Sequence, residues 1–193
     1  MADGRLGGVK RPPVDLAIDR VPSPLGALLL VWDGDARLRS LDFADFEPRM
    51  RRLLGQRHGE RGFRLTEGRA PADIVGRLDA FFSGELAAID GIAVATGGTE
   101  FRRAVWTALR TVPAGATISY GGLASAIGRP RACRAVGAAN GANPIAIVVP
   151  CHRVVGSDDS LTGYGGGLER KRWLLAHERE HASASLAAIS ERS

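Results

Sequence analysis

Residues Pro144 to Val149 form a run without a single polar side chain, and they end on Pro150-Cys151-His152-Arg153. A run of that kind has to be buried, and it reads as an extended segment around which the rest of the chain is organised. Pro150 fixes φ near −65° and removes a donor, so the chain leaves the run in a set direction. The side chains presented next are a thiol and an imidazole. A thiol reacts as its thiolate, and a neighbouring base makes it a nucleophile. Taken alone, the tetrapeptide reads equally well as a buried cysteine that a histidine happens to follow.

The chain changes character near residue 98. Val14 to Asp19, Leu25 to Trp32 and Arg37 to Phe43 read as strands, with Asp33-Gly34 as a hairpin signal. Phe46 to Gln56 and Ala72 to Phe82 have helical spacing, the second stopped by Gly84. This predicts an α+β fold: a small antiparallel three-stranded sheet with helices over residues 1–95. His58 reads as a solvated loop residue, and Ala87 to Gly98 as a linker. Residues 96–180 are predicted to be mostly helical. Thr99 caps a helix with Phe101, Val105, Trp106 and Leu109 on one stripe, and Ser119 caps a short helix through Ile127. Another helix runs from about Arg131 to Ala139. The last two helices suggest a helix-turn-helix, winged-helix-like. Leu168 to Glu178 is a final helix with Glu178 at its end, where the macrodipole disfavours a carboxylate and a partner is expected. Residues 181–193 are expected to fray.

Charge follows the same division. Residues 1–98 hold 14 basic and 14 acidic side chains; residues 99–193 hold 12 and 7, which is the whole excess of +5. No acid occurs between Glu100 and Asp158, where Arg102, Arg103, Arg110, Arg129, Arg131, Arg134 and Arg153 lie. One sign of charge over such a span suits a polyanion, although an ordinary solvated basic face gives the same count. The helix around Arg134 is otherwise built of small side chains, which suits close packing on another helix or close approach to DNA. Two cysteines are too few for a disulfide framework or a four-thiolate zinc site. Cys133 reads as a buried thiol. No membrane span and no signal-peptide core appear, which predicts a cytoplasmic protein.

Pro150-Cys151-His152-Arg153-Val154-Val155, Ser119-Tyr120, Arg134-Ala135-Val136-Gly137, Asn143-Pro144, Gly163-Tyr164-x-Gly166-Gly167 and Leu174-Leu175-x-x-Glu178 together resemble the O6-alkylguanine-DNA alkyltransferases. The motifs cover about residues 97–178. Asp159 stands where that family's loop has a glycine. The resemblance implies that Cys151 takes the alkyl group from O6 of guanine, irreversibly and once, with O4-alkylthymine as a further candidate substrate. It implies that His152 deprotonates the thiol, that Glu178 orients His152, that Asn143 supports the turn and that Tyr120 donates to the leaving guanine. Arg134 would fill the base stack. Arg129, Arg102, Ser157 and Tyr120 would also contact DNA, and Val154, Val155, Tyr164 and Gly165 would line the alkylguanine pocket. No metal and no cofactor are expected. The partner is duplex DNA bearing the lesion, met by a monomer, with cooperative binding left open. Rival readings are a cysteine hydrolase, a DNA sensor that binds the lesion without reacting, and a transcription factor.

Overall fold

The computed structural model describes residues 12–190. Strand β1 (Val14–Val21), β2 (Leu28–Trp32) and β3 (Leu38–Phe43) form an antiparallel meander. Helix α1 (Glu47–His58) then crosses the sheet to β4 (Phe63–Glu67), which pairs parallel to β1 with Val14 opposite Phe63. The sheet is therefore four-stranded and mixed, in the order β3-β2-β1-β4, and corrects the expected three antiparallel strands. β4 is an edge strand whose only apolar side chains, Phe63 and Leu65, pack beside Leu16, Leu29, Val31, Met50 and Leu54. Two apolar residues give too little alternation for a strand to be read from them.

β2 is apolar on both faces, and both are covered. Leu29 and Val31 meet α1, while Leu28 and Leu30 join the main core. At the β2–β3 hairpin, Asp33 Oδ1 accepts from the Asp35 and Arg37 amides at 3.1 and 3.0 Å. The left-handed residue there is Ala36 (φ 56°), not Gly34.

After α2 (Ala72–Phe82), the stretch expected to be a linker is packed. Ile89 and Ile92 are buried, and Leu38 of β3 bonds the backbone of Ala93 and Ala95 at 2.8 and 2.9 Å. Farther along β3, the Leu41 amide donates to Pro144 O at 3.0 Å and Leu41 O accepts from the Ala146 amide at 2.8 Å. One core runs from Leu28 in the sheet to Leu174 in the last helix.

The second half comprises α3 (Glu100–Arg110), β5 (Ile118–Ser119), α4 (Tyr120–Ala126), α5 (Cys133–Gly141), β6 (Val154–Val155) and α6 (Leu168–Ser190). Thr99 and Ser119 cap α3 and α4 as their side-chain chemistry predicts. Trp106 of α3 donates to Ala139 O at 2.9 Å and ties α3 to α5. β5 and β6 pair in parallel over two residues each. α6 does not end at Glu178 but continues to Ser190, past the expected start of the frayed tail; Glu191 to Ser193 lie outside the described residues. No glycine or proline interrupts 179–190 and alanines are frequent there, so nothing stops the helix.

Residues 144–149 are buried as expected, but they turn instead of extending. Only Ile145 pairs with β3, and Val149 N returns to Ile145 O at 3.0 Å. Ile147 holds φ 68°, a conformation that a β-branched side chain strongly resists. His58 also departs from expectation. It ends α1 half-buried against Phe63, and burial lowers its pKa to about 4, with Arg57, Arg39 and Arg61 adding to the effect. No described helix is long and apolar enough to cross a membrane.

Candidate active site

The turn at 144–149 delivers Cys151 at the head of a short 3₁₀ turn, Cys151–Arg153. The residue is 4% exposed. Asn143 fixes its surroundings: Nδ2 donates to Val149 O at 2.7 Å and lies 3.0 Å from Cys151 Sγ, while Oδ1 accepts from the Ile145 amide at 3.0 Å. Burial pushes the thiol pKa up and the Asn143 donor only partly opposes it, so Cys151 rests as a thiol and needs a base.

His152 is fully buried beside it. Its Nε2 lies 2.8 Å from Glu178 Oε1, and its Nδ1 is buried without a partner among the described residues. Burial lowers the imidazole pKa despite the Glu178 carboxylate, so the ring is neutral at neutral pH. A neutral ring facing a carboxylate carries its proton on Nε2, which leaves a lone pair on Nδ1. Nδ1 is thus a base without an assigned proton to take.

Glu178 lies inside α6 and is fully buried. The expected partner exists, although the reason given for it, a helix C-terminus, does not. Oε1 and Oε2 accept from Arg153 Nε at 3.2 and 3.0 Å, Oε1 accepts from Arg153 Nη2 at 2.8 Å, and Oε2 accepts from the Gly115 amide at 3.2 Å. Burial alone would raise the carboxyl pKa; His152 and Arg153 outweigh it and hold the group at about 2. A neutral His152 cannot supply a full ionic attraction, so the permanent Arg153 guanidinium is the dominant partner. Arg153 is structural, as its chemistry suggests.

Tyr120 opens α4 half-buried, and its hydroxyl accepts from Thr162 Oγ1 at 3.1 Å, which leaves the phenolic hydrogen free to donate. Arg134 is exposed in the first turn of α5, with Arg129 exposed before it. Ser157 is exposed in a loop closed by Gly156 N to Ser160 O at 2.9 Å, and Asp159 takes the left-handed backbone there (φ 60°). Asp adopts that region more readily than most side chains, so the loop closes without a glycine. Arg102 sits elsewhere, half-buried in a small cleft with Arg57, Trp106 and Pro144 on the side facing α1.

Val154 and Val155 are buried directly after the site turn. Tyr164 sets its ring edge-on to His152, centroids 6.3 Å apart, with a buried hydroxyl that has no partner among the described residues. Gly165 permits close approach by Arg49, since a Cβ there would lie 2.7 Å from the guanidinium carbon. Cys133 is not buried: it is exposed at the start of α5, one residue before Arg134, because that helix turns its small residues outward.

Two groups escaped the sequence reading. Lys171 is fully buried, with Nζ 2.6 Å from Val154 O and 2.8 Å from Thr162 O; burial lowers its pKa. Its signal was being one of two lysines in a chain with 24 arginines. Arg49 of α1 pairs with buried Asp42 and donates to Gly141 O and Asn143 O at 2.9 and 3.0 Å. The signal there was an acid within the otherwise apolar end of β3. Among the described residues, no three His, Cys, Asp or Glu side chains gather into a possible metal site.

A buried thiol whose neighbour is a neutral, carboxylate-oriented imidazole is equipped for nucleophilic transfer, and exposed Arg134 of α5, with Arg129 and Arg131 just before that helix, sets the chemistry beside a basic surface: a cysteine transferase with a DNA-binding helix pair. The family model described as 6-O-methylguanine DNA methyltransferase, DNA binding domain, matches residues 100–180. The methylated-DNA–protein-cysteine methyltransferase of Salmonella typhimurium is 49% identical over 160 residues, covering 83% of this chain and 94% of that one. Its namesake in Mycolicibacterium paratuberculosis is 52% identical over 169 residues, covering 86% and 94%. The crystal structure of Mycobacterium tuberculosis OGT in complex with DNA superposes with a TM-score of 0.71 at 40% identity, covering 87% and 94%. The chain belongs to the 6-O-methylguanine DNA methyltransferase family.

Proposed function

We propose that this protein repairs duplex DNA by moving the alkyl group from O6 of guanine onto Cys151. The lesion carbon lies inside the helix, so the nucleotide leaves the stack at a cost of a few kcal/mol. Arg134, reaching from the small-residue face of α5 in a winged-helix-like helix-turn-helix, occupies the gap from the minor groove. Arg129 and Ser157 hold the backbone, while Arg102, turned toward α1, is left without that role. Val154, Val155, Tyr164 and Gly165 receive the base. His152 Nδ1 takes the thiol proton through one water, and Glu178 stabilises the imidazolium. Sγ then attacks the alkyl carbon; the S–C bond forms as the C–O6 bond breaks, and the guanine anion is stabilised by donation from Tyr120. Asn143 holds the sulfur in line.

The product is a thioether, and no residue of the site offers a way to cleave it, so each molecule acts once. Residues 96–180 carry the DNA binding and the transfer, in a cytoplasmic monomer that needs no cofactor. O4-alkylthymine is the second substrate to test. The observation that carries this reading is the unpartnered Nδ1 of His152, its other nitrogen held by Glu178, in the residue that directly follows a buried thiol in need of a base.

Peptide mapping after incubation with O6-methylguanine duplex tests it: one methyl is expected on the Cys151 peptide, and Cys151→Ser should bind the duplex and accept nothing. Binding with an unchanged wild-type mass would favour the sensor reading. Methyl carried on any other residue would remove Cys151 from its role.

A further inference from the structure

Two cations share a small cleft where the halves of the chain meet. Gln56 and Arg57 of α1, Thr96, Arg102 and Trp106 of α3, and Pro144 at the head of the reactive turn line it, and no carboxylate does. Arg57 is half-buried, with Nη1 donating to Arg39 O at 3.0 Å and Nη2 donating to Ala95 O. Burial, and then the like charge of Arg39, bring its pKa down to about 10, so it is still a cation at neutral pH. The acid that acts on it, Asp33, is already held by Arg37 and Arg39, whose nitrogens lie 3.0 and 3.1 Å from Oδ2. Arg102 is half-buried in the first turn of α3, and its guanidinium has no hydrogen-bond or ion-pair partner among the described residues.

Two half-buried guanidinium groups in one space repel, and lost hydration disfavours each; an anion between them relieves both. The amino-terminal end of α3 adds a partial positive charge. The cleft measures about 40 Å³, and one water needs roughly 10–15 Å³, so the space suits a tetrahedral oxyanion and is too small for a nucleobase. A guanidinium fork matches phosphate oxygens in geometry as well as charge. We propose that this cleft binds a free phosphate ion, held by Arg57 from α1 and Arg102 from α3. Ala142 also lines it, at the opposite end of α5 from exposed Arg134, with about 12 Å of helix between them, which sets the cleft apart from the arginine that faces DNA. Seated there, the ion ties α1 to α3 and braces Pro144, where the reactive turn begins. The assignment does not depend on the alkyl-transfer reading.

Inorganic phosphate is the probe. Thermal melting of the full chain compares phosphate, titrated to saturation, with chloride at equal ionic strength, for wild type, Arg102→Met and Arg103→Met. Arg103 is exposed and donates to Gly98 O at 2.6 Å, so its replacement removes the same charge outside the cleft. At phosphate about tenfold above its dissociation constant, wild type should melt about 4 °C higher than in chloride. Arg103→Met should keep that shift and Arg102→Met should lose it. Each shift is measured within one variant, so a general loss of stability does not imitate the result. No shift in wild type, a shift retained by Arg102→Met, or a shift lost equally in both variants overturns the site. A second arm follows the salt dependence of binding to undamaged duplex, whose slope should be the same for Arg102→Met and wild type. A slope lower by about one in Arg102→Met would give the cleft to a DNA phosphodiester and overturn the free-ion assignment.

Discussion

Glu178→Gln removes one charge from a buried set and leaves its shape nearly intact. The side chains of Glu178 and Arg153 are 0% and 5% exposed, so the variant strands a guanidinium with half its partners gone. Breaking a buried pair in this way costs about 3–5 kcal/mol. The lowered pKa of Glu178 gives a second figure, an upper one because a neutral His152 adds little to it. A carboxyl brought from its ordinary 4.5 to about 2 contributes about 3 kcal/mol at neutral pH, at ~1.4 kcal/mol per unit. Since the folded pKa lies below the unfolded one, that stability is complete above pH 4.5 and is lost as pH falls through about 2. Urea unfolding followed by tryptophan fluorescence should place Glu178→Gln about 3 kcal/mol below wild type at pH 7. With a slope of about 2 kcal/mol per molar, the midpoint moves by about 1.5 M. At pH 3 the gap should narrow to about 1.4 kcal/mol. Replacing both partners, Arg153→Met with Glu178→Leu, should recover much of the loss, because no charge is then left alone. A gap below about 1 kcal/mol at pH 7, or one that does not change between pH 7 and pH 3, would refute the reasoning.

The alkyl-transfer rate should stay level from pH 8 down to about 6.5 and decline only below it, since burial keeps His152 unprotonated there; stopped-flow rates declining already at about pH 7.5 would contradict this. Arg49→Met should cost about 3–5 kcal/mol by leaving Asp42 buried and alone, with Asp42→Asn restoring a large part, as read by thermal or urea unfolding. Gly166→Ala should destabilise by about 1–3 kcal/mol, since its Cβ would run into the Phe43 ring; an unchanged urea midpoint would show that Phe43 yields freely. Ala36→Gly should stabilise by up to about 1 kcal/mol, because a left-handed alanine costs more than the extra freedom of glycine in the unfolded chain; a lowered midpoint would refute it.

Local chemistry made the caps legible: Thr99 and Ser119 announce their helices because a hydroxyl at that position satisfies an otherwise orphan amide. The Cys151-His152 pair was legible for a similar reason, two reactive groups adjacent in the chain. What escaped depends on partners distant in sequence. β4 is specified by β1, 49 residues earlier at the Asp15–Arg64 contact. The turned form of 144–149 is set by Leu41, and Lys171 is explained only by the carbonyls of Val154 and Thr162. Glu178 shows both limits: its need for a partner was read correctly from a helix end that does not exist, because α6 has no stop signal after it.

The backbone pairing of Leu41 with Pro144 and Ala146 bears on how this architecture can be cut or recombined. The reactive loop is, in effect, an additional short rung on the amino-terminal sheet, reinforced by Ser40 Oγ donating to Pro144 O at 2.8 Å. A fragment holding only residues 100–180 would keep the sulfur and its base yet lose the scaffold that aims them. Chimeras joined near residue 98 should inherit their reactivity from how well the two parents' edges mate.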